Sequence, residues 1–215
     1  NYPPANWSKP VGDGAGGTAS DAVIIGGGMG GLVAWLALTR AGIRNLRIVD
    51  RAPQGLEGPW LTYARMETLR SPKMLLGPAL GIASLTFRAW YTALYGEASW
   101  EELYRIPRPM WMDYLNWYRD VLSIPVENDT HVTRVVPRPD GLLELEIAGG
   151  SRAPIVTRKM VMATGRDGLG EPTIPDFVTP LVRHEHWAHS SDVVDFAALK
   201  DKRVVVIGVG ASAVD

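Results

Sequence analysis

Apolar positions along the first fifty residues follow two different rhythms. Residues 21–26, Asp-Ala-Val-Ile-Ile-Gly, are apolar at consecutive positions and close on a glycine. A strand buried on both faces reads this way, because neither face needs polar side chains. From 30 to 41 the rhythm changes, with Leu32, Trp35, Leu36 and Thr39 at helical spacing and Gly42 as the stop. Residues 45–50, Asn-Leu-Arg-Ile-Val-Asp, read as a second strand ending at Asp50. Strand, turn, helix and strand in that order predict an α/β fold with a parallel sheet.

The pattern then loosens. Prolines and glycines crowd the early part of 51–106, which reads as loop, with a helix predicted over 85–94. Pro107 and Pro109 lead into a clear helix over 110–123. Residues 126–128 and 132–137 read as short strands, and 142–147 and 155–163 as longer ones, with Gly149-Gly150 near the turn. Residues 204–207 form another buried-type strand, and Gly208 opens a second glycine turn that leads into a helix. Residues 1–20 are a Pro-, Gly- and Ala-rich extension in which Trp7 is placed to pin it to a surface. The expected organisation is an extension over 1–20, a first domain over 21–175 and the start of a second over 176–215. Asn1 is not a Met, and Asp215 falls just inside a predicted helix, so a fragment is expected.

Composition narrows the function classes. With 46% hydrophobic and 21% charged residues, the chain has the makings of a packed core. A net charge of −1 gives no electrostatic reason to expect nucleic acid or an anionic membrane as partner. No apolar run approaches the roughly 20 residues that span a bilayer, and residues 1–20 lack the apolar segment of a signal peptide. The absence of cysteine excludes disulfides, thiolate metal sites and a redox Cys pair, and fits a cytoplasmic protein.

The chemistry sits in the glycine turns. A dinucleotide needs its pyrophosphate where backbone N–H groups and a helix dipole converge. In Gly26-Gly27-Gly28-Met29-Gly30-Gly31, Gly26 permits the tight turn, Gly28 lets the backbone approach phosphate, and Gly31 lets the helix close on the sheet. Asp50, ending the next strand, can accept from ribose hydroxyls and would repel a 2′-phosphate. The run Val-Val-Val-Ile-Gly208-Val-Gly210-Ala211-Ser212-Ala213 repeats the logic, so two nucleotide sites are expected. Between them, Met-Val-Met-Ala163-Thr164-Gly165 brings small residues to a strand end, where backbone can pass close to a cofactor.

Taken in order, these motifs resemble the two-dinucleotide-binding flavoproteins, and within them the class B flavin-dependent monooxygenases. The resemblance runs from about residue 21 to 215. It rests on the first glycine turn, Asp50-Arg51, Glu57-Gly58-Pro59-Trp60 where the family often has Gly-Gly-x-Trp, and Ile106-Pro107-Arg108 through Tyr114-Leu115 to Tyr118. It continues through Asp129-Thr130-His131-Val132, Ala163-Thr164-Gly165 and the second turn. It implies a Rossmann-like FAD-binding domain with a β-meander insertion, followed by the start of a Rossmann-like NADPH domain. Gly26, Gly28, Met29, Gly30, Gly31, Asp50, Arg51 and Gly58 would then hold FAD. Val132 would lie by the adenine, Trp60 near the flavin, and Ala163, Thr164 and Gly165 against the cofactor. Gly208, Gly210, Ala211 and Ser212 would receive NADPH.

The activity implied is NADPH- and O2-dependent transfer of one oxygen atom to a small substrate. Disulfide reductases share the layout but need a redox Cys pair, and single-nucleotide flavin oxidases lack the second turn. A flavin reductase or oxidase, or a non-catalytic FAD module of a larger protein, stays open, and residues 1–215 alone are expected not to turn over. Arg65, Arg70 and Lys73 are candidates to grip an anionic substrate. Their segment resembles enzymes that oxidise the amine of aspartate. Facing FAD phosphates or solvent is their alternative role. Where the family has an aromatic-x-Gly-x-x-x-His run, this chain has Arg183 and Glu185 before His189, which argues against an ordinary Baeyer–Villiger enzyme. His184, His186 and His189 suit neither a helix face nor a strand face, so no metal is expected. A homodimer is the candidate assembly.

Overall fold

The computed structural model describes residues 7–148, 153–165, 168, 170 and 172–213. A four-stranded parallel sheet lies at its centre. Its strands are β1 (Ala22–Ile25), β2 (Leu46–Val49), β3 (Val126–Glu127) and β7 (Met160–Met162), in the spatial order β3-β2-β1-β7. A three-stranded antiparallel meander, β4 (Val132–Pro137), β5 (Leu143–Ile147) and β6 (Ile155–Thr157), packs on one face. Helices α1 (Met29–Arg40), α2 (Phe87–Glu102) and α3 (Arg108–Val121) supply the apolar cover of the other. Among the described residues no helix is long and apolar enough to cross a membrane.

The apolar run of β1, and that of β2 broken only by Arg47, follow from this layering. Ile24 and Ile48 enter the core with the helices, while Val23 and Val49 enter a separate core with Leu145, Ile147 and Ile155 of the meander. All four central residues are fully buried, so a polar side chain at any of them would lose water without gaining a partner.

The helical layer is rich in rings. Phe87, Trp90, Tyr91, Trp100, Trp111, Tyr114 and Tyr118 pack edge to face or tilted, with Phe87 centred 5.4 Å from both Trp90 and Tyr114. Two phenols lash the preceding loop to α3: Tyr114 donates to Leu85 O (2.6 Å) and Tyr118 to Pro78 O (2.8 Å). Burial raises both phenols, that of Tyr118 to about 12. The helix expected over 85–94 is longer than its apolar pattern suggests. It starts after Thr86, whose hydroxyl accepts from Ala89 N, and continues to Glu102 through a kink at Gly96, where φ is 83°.

Two predicted strands are corrected. Residues 155–163 do not form one strand. The chain bends at Arg158, leaving the meander at Thr157 and joining the parallel sheet at Met160. The backbone is shared between two partners: Leu143 pairs Thr157, while Val23 pairs Met160. Thr157, fully buried, braces the bend by donating to Ser20 O (3.1 Å) and Lys159 O (2.8 Å).

Residues 204–207 form no strand, and their side chains are 56–84% exposed. A buried-type strand requires neighbours on both edges and both faces, and none of the described strands pairs with this segment. The second turn opens a single 3-10 turn at Ala211–Ala213. Gly149 and Gly150 lie outside the described residues. The extension is pinned as expected, with Trp7 Nε1 donating to Ala41 O at the end of α1 (2.8 Å).

A candidate dinucleotide site

The first glycine turn is built by close backbone approach. Gly26 has φ of 112° and lies against the Ala163 carbonyl, where a Cβ would come within 2.7 Å of the carbonyl carbon. A Cβ on Gly31 would run into Gly26 O and reach 3.2 Å from Ile48 Cδ1. A Cβ on Gly27 would reach 2.6 Å from Val126 Cγ1. These positions exclude side chains because strand end, helix and turn occupy one another's van der Waals space. Gly28 differs. Its nearest neighbours across the turn are the backbone atoms of Gly58, 3.8 Å from an ideal Cβ. Two glycine backbones therefore face each other there.

Helix α1 begins at this point. No side chain caps its N-terminus, and its first turn contains no acidic residue. Its leading N–H groups and positive dipole end are thus left for an anion. Asp50 closes the other side. Its carboxylate accepts from Gly27 N (2.6 Å) and from Ala52 N (2.7 Å). That uses two of about four lone-pair positions on the carboxylate, so the group both orders the turn and retains acceptor capacity. Thr130 N donates to Asp50 O (2.8 Å), which brings the start of β4 at Val132 to the same end of the sheet. Arg51 is exposed.

At the opposite edge, Ala163 N donates to Ile25 O (2.8 Å), fixing the strand end beside the turn. Thr164 Oγ1 is buried there without a hydrogen-bond partner among the described residues. Gly165, with φ of 76°, is open to solvent. Trp60 packs edge-on against Trp111 with centroids 6.1 Å apart, and its indole edge borders Gly58. Arg108 donates through Nε to Met66 O (3.0 Å) and through Nη1 to Trp60 O, which holds the loop to the start of α3.

These features fit a dinucleotide. Gly26, Gly27 and Gly31 admit no side chain, the wall facing Gly28 is a glycine, and the helix end is uncapped. The second turn shares a positive φ at its first glycine, 129° at Gly208, but Gly208 and Gly210 have nothing within reach of a Cβ. Ala211 and Ser212 are exposed, and Arg70 Nη2 donates to Ala211 O (3.1 Å).

The three candidate substrate cations do not converge. Arg65 donates to Ser190 O (2.6 Å) and Asp192 O (2.9 Å) and lies 5.2 Å from the Phe196 ring centre. Arg70 reaches toward the second turn. Lys73 donates to Trp100 O and Glu101 O at the end of α2 and sits over the Trp100 ring. Backbone carbonyls thus take all three, because helix and loop ends present unpaired acceptors that long cations can reach.

His184 and His189 border Asp192, while His186 accepts from Val182 N (3.3 Å). Asp192 accepts from Arg183 (2.6 Å) and from His189 N (2.8 Å), and its carboxyl is held below the ordinary range chiefly by Arg183. No metal-holding cluster of His, Asp and Glu occurs among the described residues.

Sequence reasoning missed Glu57 and Arg119. Glu57 is the buried charged residue among the described ones, and it pairs with Arg119 at 2.7 Å. The two lie far apart in sequence, and only the substitution of an acid for the family's glycine marked the position.

Comparison with known proteins agrees with this geometry. The chain is 46% identical over 196 residues to an FAD-dependent urate hydroxylase of Xanthomonas campestris pv. campestris, a match covering 91% of this chain and 41% of that protein. It is 27% identical over 205 residues to Baeyer-Villiger monooxygenase 4 of a Dietzia species, covering 90% of this chain and 31% of that one. In fold it is similar to ornithine hydroxylase from Pseudomonas aeruginosa, with a TM-score of 0.62, 18% identity, and 76% and 42% of the two chains covered. The chain thus spans less than half the length of each. The profile described as pyridine nucleotide-disulphide oxidoreductase matches residues 23–215, and the chain belongs to that family.

Proposed function

We propose that this chain is the FAD-binding part of an NADPH-dependent flavin monooxygenase that transfers one oxygen atom from O2 to a small substrate. The observation that carries the reading is the first glycine turn, closed between Ala163 and Gly58 with Asp50 at its rim. Gly28 and Gly58 would admit the pyrophosphate, and the uncapped N-terminus of α1 would face its charge. Asp50 would accept from the ribose and disfavour a 2′-phosphate, which assigns NADPH to the second turn. The bound flavin supplies the redox chemistry between NADPH and O2. The packed indoles of Trp60 and Trp111 would help keep water from its edge.

Urate, named for the 46%-identical relative, is the first candidate substrate. The aspartate reading requires Arg65, Arg70 or Lys73 to release the carbonyls they hold, and so stands second. The deciding experiment uses the whole purified protein. It should show a flavin spectrum and consume NADPH and O2 in step with conversion of urate or of an acidic amino acid. A protein without flavin, or one that yields only hydrogen peroxide with every substrate tried, overturns the reading.

A further inference from the structure

Glu57, only 3% exposed, lies in the early part of the loop that follows β2. Its carboxylate accepts from Arg119 Nη1 (2.7 Å), Asn128 Nδ2 (2.6 Å) and Gly55 N (2.8 Å). Arg119 Nη2 donates to Asn128 Oδ1 and to Val126 O, both at 3.1 Å. Asn128 Nδ2 also donates to Ala52 O (3.0 Å). The three side chains therefore close a ring of hydrogen bonds. That ring ties the 51–58 loop to α3 on one side and to the end of β3 on the other.

Replacing a buried ion pair by apolar side chains is often neutral for stability. What such a pair provides is direction, since each bond has a narrow range of distance and angle. Here the direction is spent on one place. Glu57 immediately precedes Gly58, the residue that faces Gly28 across the turn. Gly58 has φ of 76°, one of several regions open to a glycine, so its own backbone does not fix its place and the flanking residues must. A small cavity joins Gly27 and Gly28 to Glu57 and Arg119, so the pair borders the turn directly. Glu57 also neutralises Arg119, leaving backbone N–H groups rather than a guanidinium to meet an incoming anion.

We propose that Glu57, Arg119 and Asn128 act as positioning residues for dinucleotide binding: their ring sets the distance between Gly58 and Gly28, and so the fit of the pyrophosphate. This rests on the FAD reading of the first turn. It assigns Glu57, which stands where the resembling family often has glycine, a role in the site that a glycine cannot perform.

The test measures FAD dissociation constants by flavin fluorescence on deflavinated whole protein. Glu57→Gln, Arg119→Lys and the double variant are compared with the unchanged protein, alongside the melting temperature of each deflavinated form. Glu57→Gln keeps the shape and removes the charge. Arg119→Lys keeps the charge but cannot span Glu57, Asn128 and Val126 at once. Each single variant should weaken FAD binding about tenfold or more. The double variant should be no weaker than the worse single, because the side chains act as one unit. The circular dichroism of the bound flavin should also change. FAD affinity within about twofold of the unchanged protein in both folded variants would overturn the proposal. So would losses that only follow the drop in melting temperature. If Glu57→Gln does not fold, Arg119→Lys decides alone. Failure of the unchanged protein to bind FAD would instead defeat the functional reading, and this proposal with it.

Discussion

The two glycine turns differ in surroundings far more than in local shape. Gly26 and Gly208 both adopt positive φ, 112° and 129°. Each follows a run of β-branched residues and precedes a helical turn. Yet β1 pairs with β2 and β7 and has apolar layers on both faces, whereas residues 204–207 pair with none of the described strands. A parallel strand gains little from its own sequence. Its hydrogen bonds and its burial both come from neighbours. The comparison separates what a motif encodes locally, a turn conformation, from what only a sheet around it can supply.

The largest expected effect comes from filling the first turn. Gly31→Ala sets a Cβ against Gly26 O and should cost more than about 3 kcal/mol in urea unfolding. Gly210→Ala, with nothing in reach, should be nearly silent in the 215-residue chain. Equal effects at the two positions would erase the contrast. Next, Ile24→Ala should cost about 2–3 kcal/mol, while Val205→Ala, at an 84% exposed position, should stay within about 0.5 kcal/mol in the same chain.

A smaller effect tests how the second region is attached. Arg65→Ala removes the donors to Ser190 O and Asp192 O. Amide exchange across 183–196 should quicken severalfold while that of β1 is unchanged, and unaltered exchange would show that Arg65 fastens nothing. The smallest effect is acid release of the same segment. Asp192 is held below 3.8 by Arg183, so its folded form favours the carboxylate. The contribution is present above pH 3.8 and disappears as pH falls through the lower folded value. Proteolysis of 183–196 by an acid-active protease should therefore rise below that point in the unchanged chain, and Asp192→Asn should be equally open on both sides of it.

The site was legible where the chemistry is local. The spacing of Gly26, Gly28 and Gly31, and the acid that ends β2, follow from turn, approach and packing requirements carried by adjacent residues. The order of apolar runs likewise announced the parallel sheet. What stayed hidden depends on partners distant in sequence. Residues 155–163 are apolar on either side of Thr157-Arg158-Lys159, and so short a polar break also fits one continuous strand, so the change of sheets at Arg158 shows only once both partner strands are in place. Lys73 reads as a cation available to a substrate until the end of α2 appears beside it. Glu57 stands out in sequence only as an acid in the place of a glycine and Arg119 not at all, and only the fold makes them a buried pair.

The bend between β6 and β7 carries a further consequence. Arg158 and Lys159 alone link the meander to the strand whose end, Ala163, presses on Gly26. A single residue inserted there would shift the chain by about 3.3 Å and turn every following side chain to the opposite face. Ala163 would lose its place against Gly26 although no residue of the glycine turn had changed. Loop length at this junction is therefore a constraint on the cofactor cradle, and insertions between Thr157 and Met160 should be tolerated far less than insertions at the exposed hairpin around Asp140 and Gly141.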